Sequence, residues 1–523
     1  GRLRLLFRGD RSVESQRLGR MVGPCAARGG VSRGDTPAVS VVQRVGRLAG
    51  VSPRGCSAVG KSVFHPFGRP AVRQGICAFV LACAARSETV AERWWEHVKF
   101  LADDRLEGRN TGSAGHREAA EYVAKKFAEA GLKPGAAKTW MQQVPFVTRQ
   151  IDEANSSLSL GGSAITLGKE AYFEMRVDPK PETRAELVFV GHGLRAPEMN
   201  YDDLKGLDLK GKIAVILGGA PPKWPGAIAA HLQSADVRWA GLRSAGAIGI
   251  VNVPLTQTTP WARSSAARVQ MQMNADIARA DGGDVSVAWN TEYASLLFEG
   301  SGHTIDELRK LARAGEPLPK FELRKTLHAK VAVKRGKLES PNVVGLLPGK
   351  RKEYVVVSGH LDHIGKTQSF AGDGIFNGAM DNASGIGALI EVARALRNEK
   401  LQRGVLFVAL TGEEKGLQGS RYFAAKPVVA AKSIAADCNM DMFMPLHDFK
   451  AVTILGAEES TLGDIARGTA ERRGLRVLPD PAPEQRRFTR SDLYSFIREG
   501  IPAIAFKFGY EKGTPEEKIH ADW

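Results

Sequence analysis

Cysteine is scarce and poorly placed for cross-linking. The chain has five cysteines in 523 residues, and Cys25, Cys56, Cys77 and Cys83 all precede residue 84. Cys438 stands alone in the rest, which excludes an internal disulfide framework there. Sustained periodicity is missing from Gly1 to about Gly68, a stretch rich in Arg, Gly and Ser. It has too little apolar surface to offset its ordering entropy, so no fold is expected for it. The segment reads either as a disordered leader or as translated sequence upstream of a true start, for which Met21 is one candidate. Acidic residues are also few at this end. Residues 1–88 hold 15 Lys and Arg against 4 Asp and Glu, leaving 58 against 53 for 89–523. The net charge of +16 therefore sits mostly in the leader, and the remainder carries no nucleic-acid signal.

A length of 523 residues accommodates two or three domains, and 43% hydrophobic with 25% charged residues is ordinary globular composition. Residues 1–88 form the leader. Within it, Arg69 and Arg73 precede the apolar run Gly75 to Ala85, which is similar to a secretory signal. It falls short of the ~20 residues of a membrane-spanning helix. Val80-Leu81-Ala82-Cys83 is similar to a bacterial lipobox with Cys83 as the lipidated residue. A secreted or periplasmic protein, lipid-anchored if the lipobox is used, is expected.

From Glu88 the pattern is helical. Val90, Trp94, Val98 and Leu101 share a face, and Ser113 to Ala130 forms an amphipathic helix ending at Gly131. His116 reads as an exposed residue of that helix. Residues 151–325 carry short β segments and turn residues and read as an insert. Thr256 to Asn274, polar with Trp261, reads as a loop over the cleft. Lys325 to Lys334 alternates and is expected to re-enter the main sheet. From Val343 to Phe508 strands alternate with helices, so 89–150 and 326–523 should form one three-layer α/β domain with a mainly parallel mixed sheet.

Four apolar segments of that domain end in carboxylates or imidazoles. Tyr354-Val355-Val356-Val357 runs into Ser358-Gly359-His360-Leu361-Asp362-His363. Met380-Asp381-Asn382-Ala383-Ser384-Gly385 precedes a helix. The strand Gly404 to Leu410 leads to Thr411-Gly412-Glu413-Glu414, and Asn439-Met440 leads to Asp441. Parallel strands bring such ends to one sheet edge, where imidazole and carboxylate are the ligand set of zinc. Asp362, two residues beyond His360, is placed to accept the second ring N–H of His360 and fix its tautomer. Adjacent glutamates on an extended chain point apart, so one can bind metal while the other faces a bound water. His363, Asp373, Asp437 and His447 are given no site role, and His192 and His231 are read as structural.

In residue type, order and spacing the four motifs resemble the co-catalytic di-zinc aminopeptidases. That group includes aminopeptidase S, aminopeptidase Y, glutamate carboxypeptidase II and the transferrin receptor. The resemblance implies two zinc ions per chain, with His360 on one, Asp381 bridging both, Glu414 a ligand of the first and Asp441 of the second. It also implies Glu413 as general base, Asp362 as the residue orienting His360, and peptide substrates cleaved at the N-terminus. Glu186 to Gly193, Leu209 to Leu217 and Gly246 to Val253 resemble a protease-associated (PA) domain within the insert. Two positions depart from the pattern. Ser491-Asp492-Leu493 stands where relatives carry Ser-Asp-His, and no Tyr-His-x-Pro motif supplies the last zinc ligand. His520 either replaces that ligand or is a helix residue, with the ligand lying beyond Trp523. A carboxypeptidase, a one-zinc glutaminyl cyclase and a non-catalytic receptor-like relative remain alternatives at this point.

Overall fold

The computed structural model describes residues 88–523, apart from 176, 257–259, 269, 277–282, 368–371, 444–445 and 523. The leader, with Met21, the run Gly75 to Ala85 and Cys83, lies outside the described residues. Helix α1 (Val90–Leu101) opens on a capping box. The Thr89 hydroxyl accepts from Glu92 N while the Glu92 carboxylate accepts from Thr89 N, worth about 1 kcal/mol at a helix start. Helix α2 (Ala114–Glu129) is capped by Ser113 and followed by Gly131 in the left-handed region at φ 82°. It buries Ala119, Ala120, Val123, Ala124 and Phe127.

His116 is not exposed. It belongs to the same stripe as Ala120, Val123 and Phe127, at offsets of about four, seven and eleven residues that return to one helix face. Its ring is fully buried, with Nδ1 3.2 Å from Ser340 Oγ. Burial pushes its pKa down to about 3, so it is neutral.

The main sheet has ten strands. We label β1 (Met141–Ile151), β2 (Gln272–Ala275), β3 (Val333–Leu347), β4 (Arg351–His360), β5 (Arg403–Leu410), β6 (Ile434–Met440), β7 (Ala451–Leu455), β8 (Arg476–Leu478) and β9 (Ala503–Phe508). Their order is β2-β1-β3-β5-β4-β6-β9-β7-β8, and Lys133–Pro134 adds to β3. The sheet is mixed, as expected, with a parallel centre and a further parallel pair in β7 and β8. β5, β4, β6 and β9 run parallel, whereas β1, β2, β3 and β7 join antiparallel.

Strand alternation builds the three layers. Val405, Phe407 and Ala409 face one core with α1, α2 and α3 (Ser384–Leu396). Leu406, Val408 and Leu410 face the other, with Phe423 of α4 (Gln418–Ala425) and Leu493, Phe496 and Ile497 of α5 (Leu493–Arg498). No helix among the described residues is long and apolar enough to cross a membrane.

The insert folds around its own eight-stranded sheet. Glu182–Phe189, Ile213–Leu217, Gly249–Val253 and Val285–Trp289 run parallel at its centre. The boundary drawn at residue 325 falls inside a strand. Phe321–Lys330 pairs with Glu182–Phe189 in the insert, and the chain returns to the main sheet only at Val333. Its alternation is genuine, but periodicity fixes a strand's buried face without fixing which sheet receives it. The described parts of Thr256 to Asn274 are likewise not loop alone. Trp261–Ala267 is helical and Gln272–Ala275 pairs with β1, where Met273 packs on Val144 and Phe146.

Candidate metal centre

Because β4, β5 and β6 are parallel and adjacent, His360, the Glu413-Glu414 pair and Asp441 emerge at one sheet edge. Asp381 reaches the same edge from the turn Ala379–Ala383 that leads into α3. His360 is 1% exposed, and its Nδ1 donates to the backbone carbonyl of Asp362 at 3.0 Å. That bond leaves Nε2 facing the site, 2.9 Å from Asp381 Oδ1 and 3.6 Å from Asp441 Oδ1.

The Asp362 carboxylate does something other than expected. It accepts from Thr111 Oγ1 at 2.9 Å, Glu413 N at 3.1 Å and Glu414 N at 3.3 Å. β4 ends at His360, so the chain turns and Asp362 does not share the His360 face. A buried carboxylate needs donors, and the amides beyond β5 supply them. Asp362 therefore fixes the His360 tautomer through its carbonyl and the glutamate pair through its side chain.

Two groups converge. His360, Asp381 and Asp441 form one, and His363, Asp381 and Glu414 the other, with ligand atoms in each within 4.8 Å of one another. Glu414 thus stands apart from His360, and Asp441 shares its group. His363, to which sequence gave no role, lies with Nδ1 2.7 Å from Glu414 Oε1. Neither atom completes a hydrogen bond, although both are buried. Two orphaned, converging ligand atoms of imidazole and carboxylate type fit a zinc ion.

Charge in the centre is finely opposed. Burial alone would lower the His360 pKa, but Glu413, Asp381 and Asp441 raise it well above the ordinary imidazole value. Burial would raise Asp441, yet Lys507, His360 and Ser491 hold it far below the usual carboxylate range. Glu413 goes the other way. Desolvation and the neighbouring Asp492, Asp441 and Glu414 push it well above a normal glutamate, against the pull of His360. Asp492 is itself raised to about 7, chiefly by burial.

Several contributors were not singled out from sequence. Lys507 and Ser491 hold Asp441, and Lys507 was detectable as a cation within the apolar strand Ala503–Phe508. Asn382 Nδ2 donates to Met440 O at 2.9 Å while its Oδ1 accepts from Gly385 N and Met442 N, tying the Asp381 turn to the end of β6. His520 lies in neither group. It sits in the helix Pro515–Asp522, 3.2 Å from Nε2 of His447 and stacked on Tyr510. His192 and His231 are structural, the former bonded to Leu217 O and the latter to Tyr494 OH.

A three-layer α/β domain with a histidine and carboxylate centre at the ends of its parallel strands is a metallohydrolase architecture. Residues 342–523 match the family model described as Peptidase family M28. A probable zinc metalloprotease of Pyrenophora teres f. teres is 34% identical over 103 residues, 19% of this chain and 22% of the relative. A probable leucine aminopeptidase of Arthroderma otae is 34% identical over 113 residues, 20% of this chain and 30% of the relative. The match thus spans less than a third of the length of either relative. Among solved structures, an aminopeptidase from Aneurinibacillus sp. strain AM-1 is 22% identical, covering 83% of this chain and 89% of that one with a TM-score of 0.46. The zinc aminopeptidase BSAP from Bacillus subtilis is 19% identical, with 82% and 88% covered and a TM-score of 0.42.

Proposed function

We propose that this chain is a zinc-dependent aminopeptidase that removes N-terminal residues from peptides. The observation that carries the reading is the sharing of Asp381 between two groups of ligand-type side chains. His360, Asp381 and Asp441 would hold one zinc ion, and Asp381 with Glu414, on the side that His363 faces, would hold a second. When bound there, zinc supplies Lewis-acid polarisation of the scissile carbonyl and activation of water. Glu413 takes the water proton and passes it to the leaving amine, general acid–base work typically worth about 10² to 10⁴-fold.

Asp362 holds the backbone of Glu413 and Glu414, so base and ligand keep a fixed offset. Ser491 and Lys507 occupy Asp441 Oδ2, leaving Oδ1 for the centre. The choice of an aminopeptidase over a carboxypeptidase rests on the resemblance of the four motifs to the di-zinc aminopeptidases. The insert, PA-like in its sequence pattern, contacts the peptidase half through His231 and Tyr494. The signal-like run Gly75 to Ala85 supports export.

The test is hydrolysis of leucine p-nitroanilide by wild type and Glu413→Gln, with and without a chelator. Loss of activity with chelator and in the variant is expected. Equal rates in all four assays overturn the assignment, and cleavage of N-blocked peptides in preference to free ones overturns the aminopeptidase choice.

A further inference from the structure

Glu107, Gly108 and Arg109 lie consecutively at φ 48°, 69° and 46°. The left-handed region is costly for residues with a side chain, roughly 1–2 kcal/mol each, so something holds this turn in place. The Arg109 side chain supplies it. It is 1% exposed, and its fork donates only to main-chain carbonyls. Nε donates to Leu361 O at 3.0 Å, Nη1 to Asn377 O at 2.6 Å and to Leu101 O, and Nη2 to Gly378 O at 3.0 Å. Its own carbonyl accepts from His363 N at 3.2 Å.

Three of the four acceptors flank ligand residues, and the fourth, Leu101, closes α1. Leu361 lies between His360 and Asp362, and Asn377 and Gly378 lie just before Asp381. Gly378 is at φ 63°, and a Cβ there would stand 2.8 Å from Arg109 Nη2 and 2.7 Å from His363 Cγ, so the glycine permits the close approach. Asp362, Asp381 and Glu414 are the charges that face the guanidinium, and they partly offset a burial that lowers its pKa to about 10.

We propose that Arg109 is a positioning residue of the metal centre: one guanidinium fastens the His360–His363 segment to the turn carrying Asp381 and sets the gap between the ligands. The proposal rests on the metal reading above. A planar fork with five donors spans several carbonyls at fixed angles, which the single ammonium of lysine does not.

The test uses the full chain as Arg109→Lys, with zinc affinity measured by competition against a chromophoric chelator and with kcat and KM for leucine p-nitroanilide at saturating zinc. Circular dichroism establishes that the variant is folded. Positioning predicts about 10–100-fold weaker zinc binding, as for other groups that orient ligands, with kcat reduced and KM changed less. A folded Arg109→Lys that binds zinc and turns over like wild type overturns the proposal, because charge alone then suffices. A lowered melting temperature with unchanged zinc affinity also overturns it, leaving a purely structural role. If the lysine variant does not fold, Arg109→Gln is judged on the same readouts. Failure of both to fold counts against the proposal, since no role at the centre separates from folding. Wild type that binds no zinc sinks the metal reading itself, a result distinct from all of these.

Discussion

Lys507 Nζ lies 2.7 Å from the backbone carbonyl of Asp441 and 3.1 Å from its Oδ2, inside the sheet and nearly out of solvent. Ser491 Oγ donates to the same Oδ2 at 2.7 Å. The two donors hold one oxygen of the carboxylate and direct the other towards His360. Lys507→Met is therefore expected to lower zinc affinity and kcat/KM by about 10–100-fold, and Ser491→Ala by less. Because both act on one oxygen, the double variant should fall short of the sum of the single effects. Chelator competition on the four proteins measures this, and full additivity would refute a shared restraint.

Zinc uptake should depend steeply on pH. In the metal-free protein His360 is held protonated well above the ordinary imidazole range, and an imidazole must be neutral to bind metal. Apparent zinc affinity should rise with pH through neutrality, by about tenfold per unit for each proton released. The stability effect has the opposite sign. A raised folded-state pKa contributes stability below the unfolded value, and that contribution is lost as pH rises through the folded one. Calorimetry in buffers of different ionisation enthalpy counts the protons, and a pH-independent affinity would contradict the assignment.

Asp492 is one of the carboxyls that push Glu413 upward. Asp492→Asn removes that repulsion, so Glu413 should lose its proton at lower pH. The acid limb of the kcat/KM profile is then expected to move down by a few tenths of a unit to about one unit. A limb that stays in place, or moves up, would show that Glu413 is not the group titrating there.

Gly378→Ala combines a strained φ with steric conflict, since a Cβ would also stand 2.4 Å from Asp381 O. The variant is expected to lose about 1–3 kcal/mol of stability and to bind zinc more weakly, read as melting temperature and chelator competition. Gly131→Ala, with open space around its Cβ at φ 82°, should cost stability while leaving zinc affinity unchanged.

The chemistry of the site was far more legible than its grouping. Each of His360, Asp381, Glu413, Glu414 and Asp441 follows or precedes an apolar element, and parallel strand order carries them to one edge. Sequence spacing carried no information on which side chains face each other across that edge, so Asp441 replaced Glu414 beside His360 and His363 was overlooked. Asp362 shows the same limit. Its offset from His360 implied a contact only while the strand continued, and the strand stops at His360, two residues short of it. The insert boundary failed for another reason. Phe321–Lys330 and β3 both alternate, and burial on one face is equally well satisfied by either sheet.

β1 and β3 stay in register from Met141 opposite Val343 to Ile151 opposite Val333. The chain thus leaves for the insert and comes back through neighbouring partners, so the whole insert is the swollen tip of a hairpin. A short turn joining Ile151 to Val333 would preserve that ladder, but it would also delete Gln272–Ala275 from the outer flank of β1. The bared amides and carbonyls would then be free to recruit a second molecule. Trimming the protein to its peptidase half therefore invites polymerisation unless that flank is blocked by charge or proline.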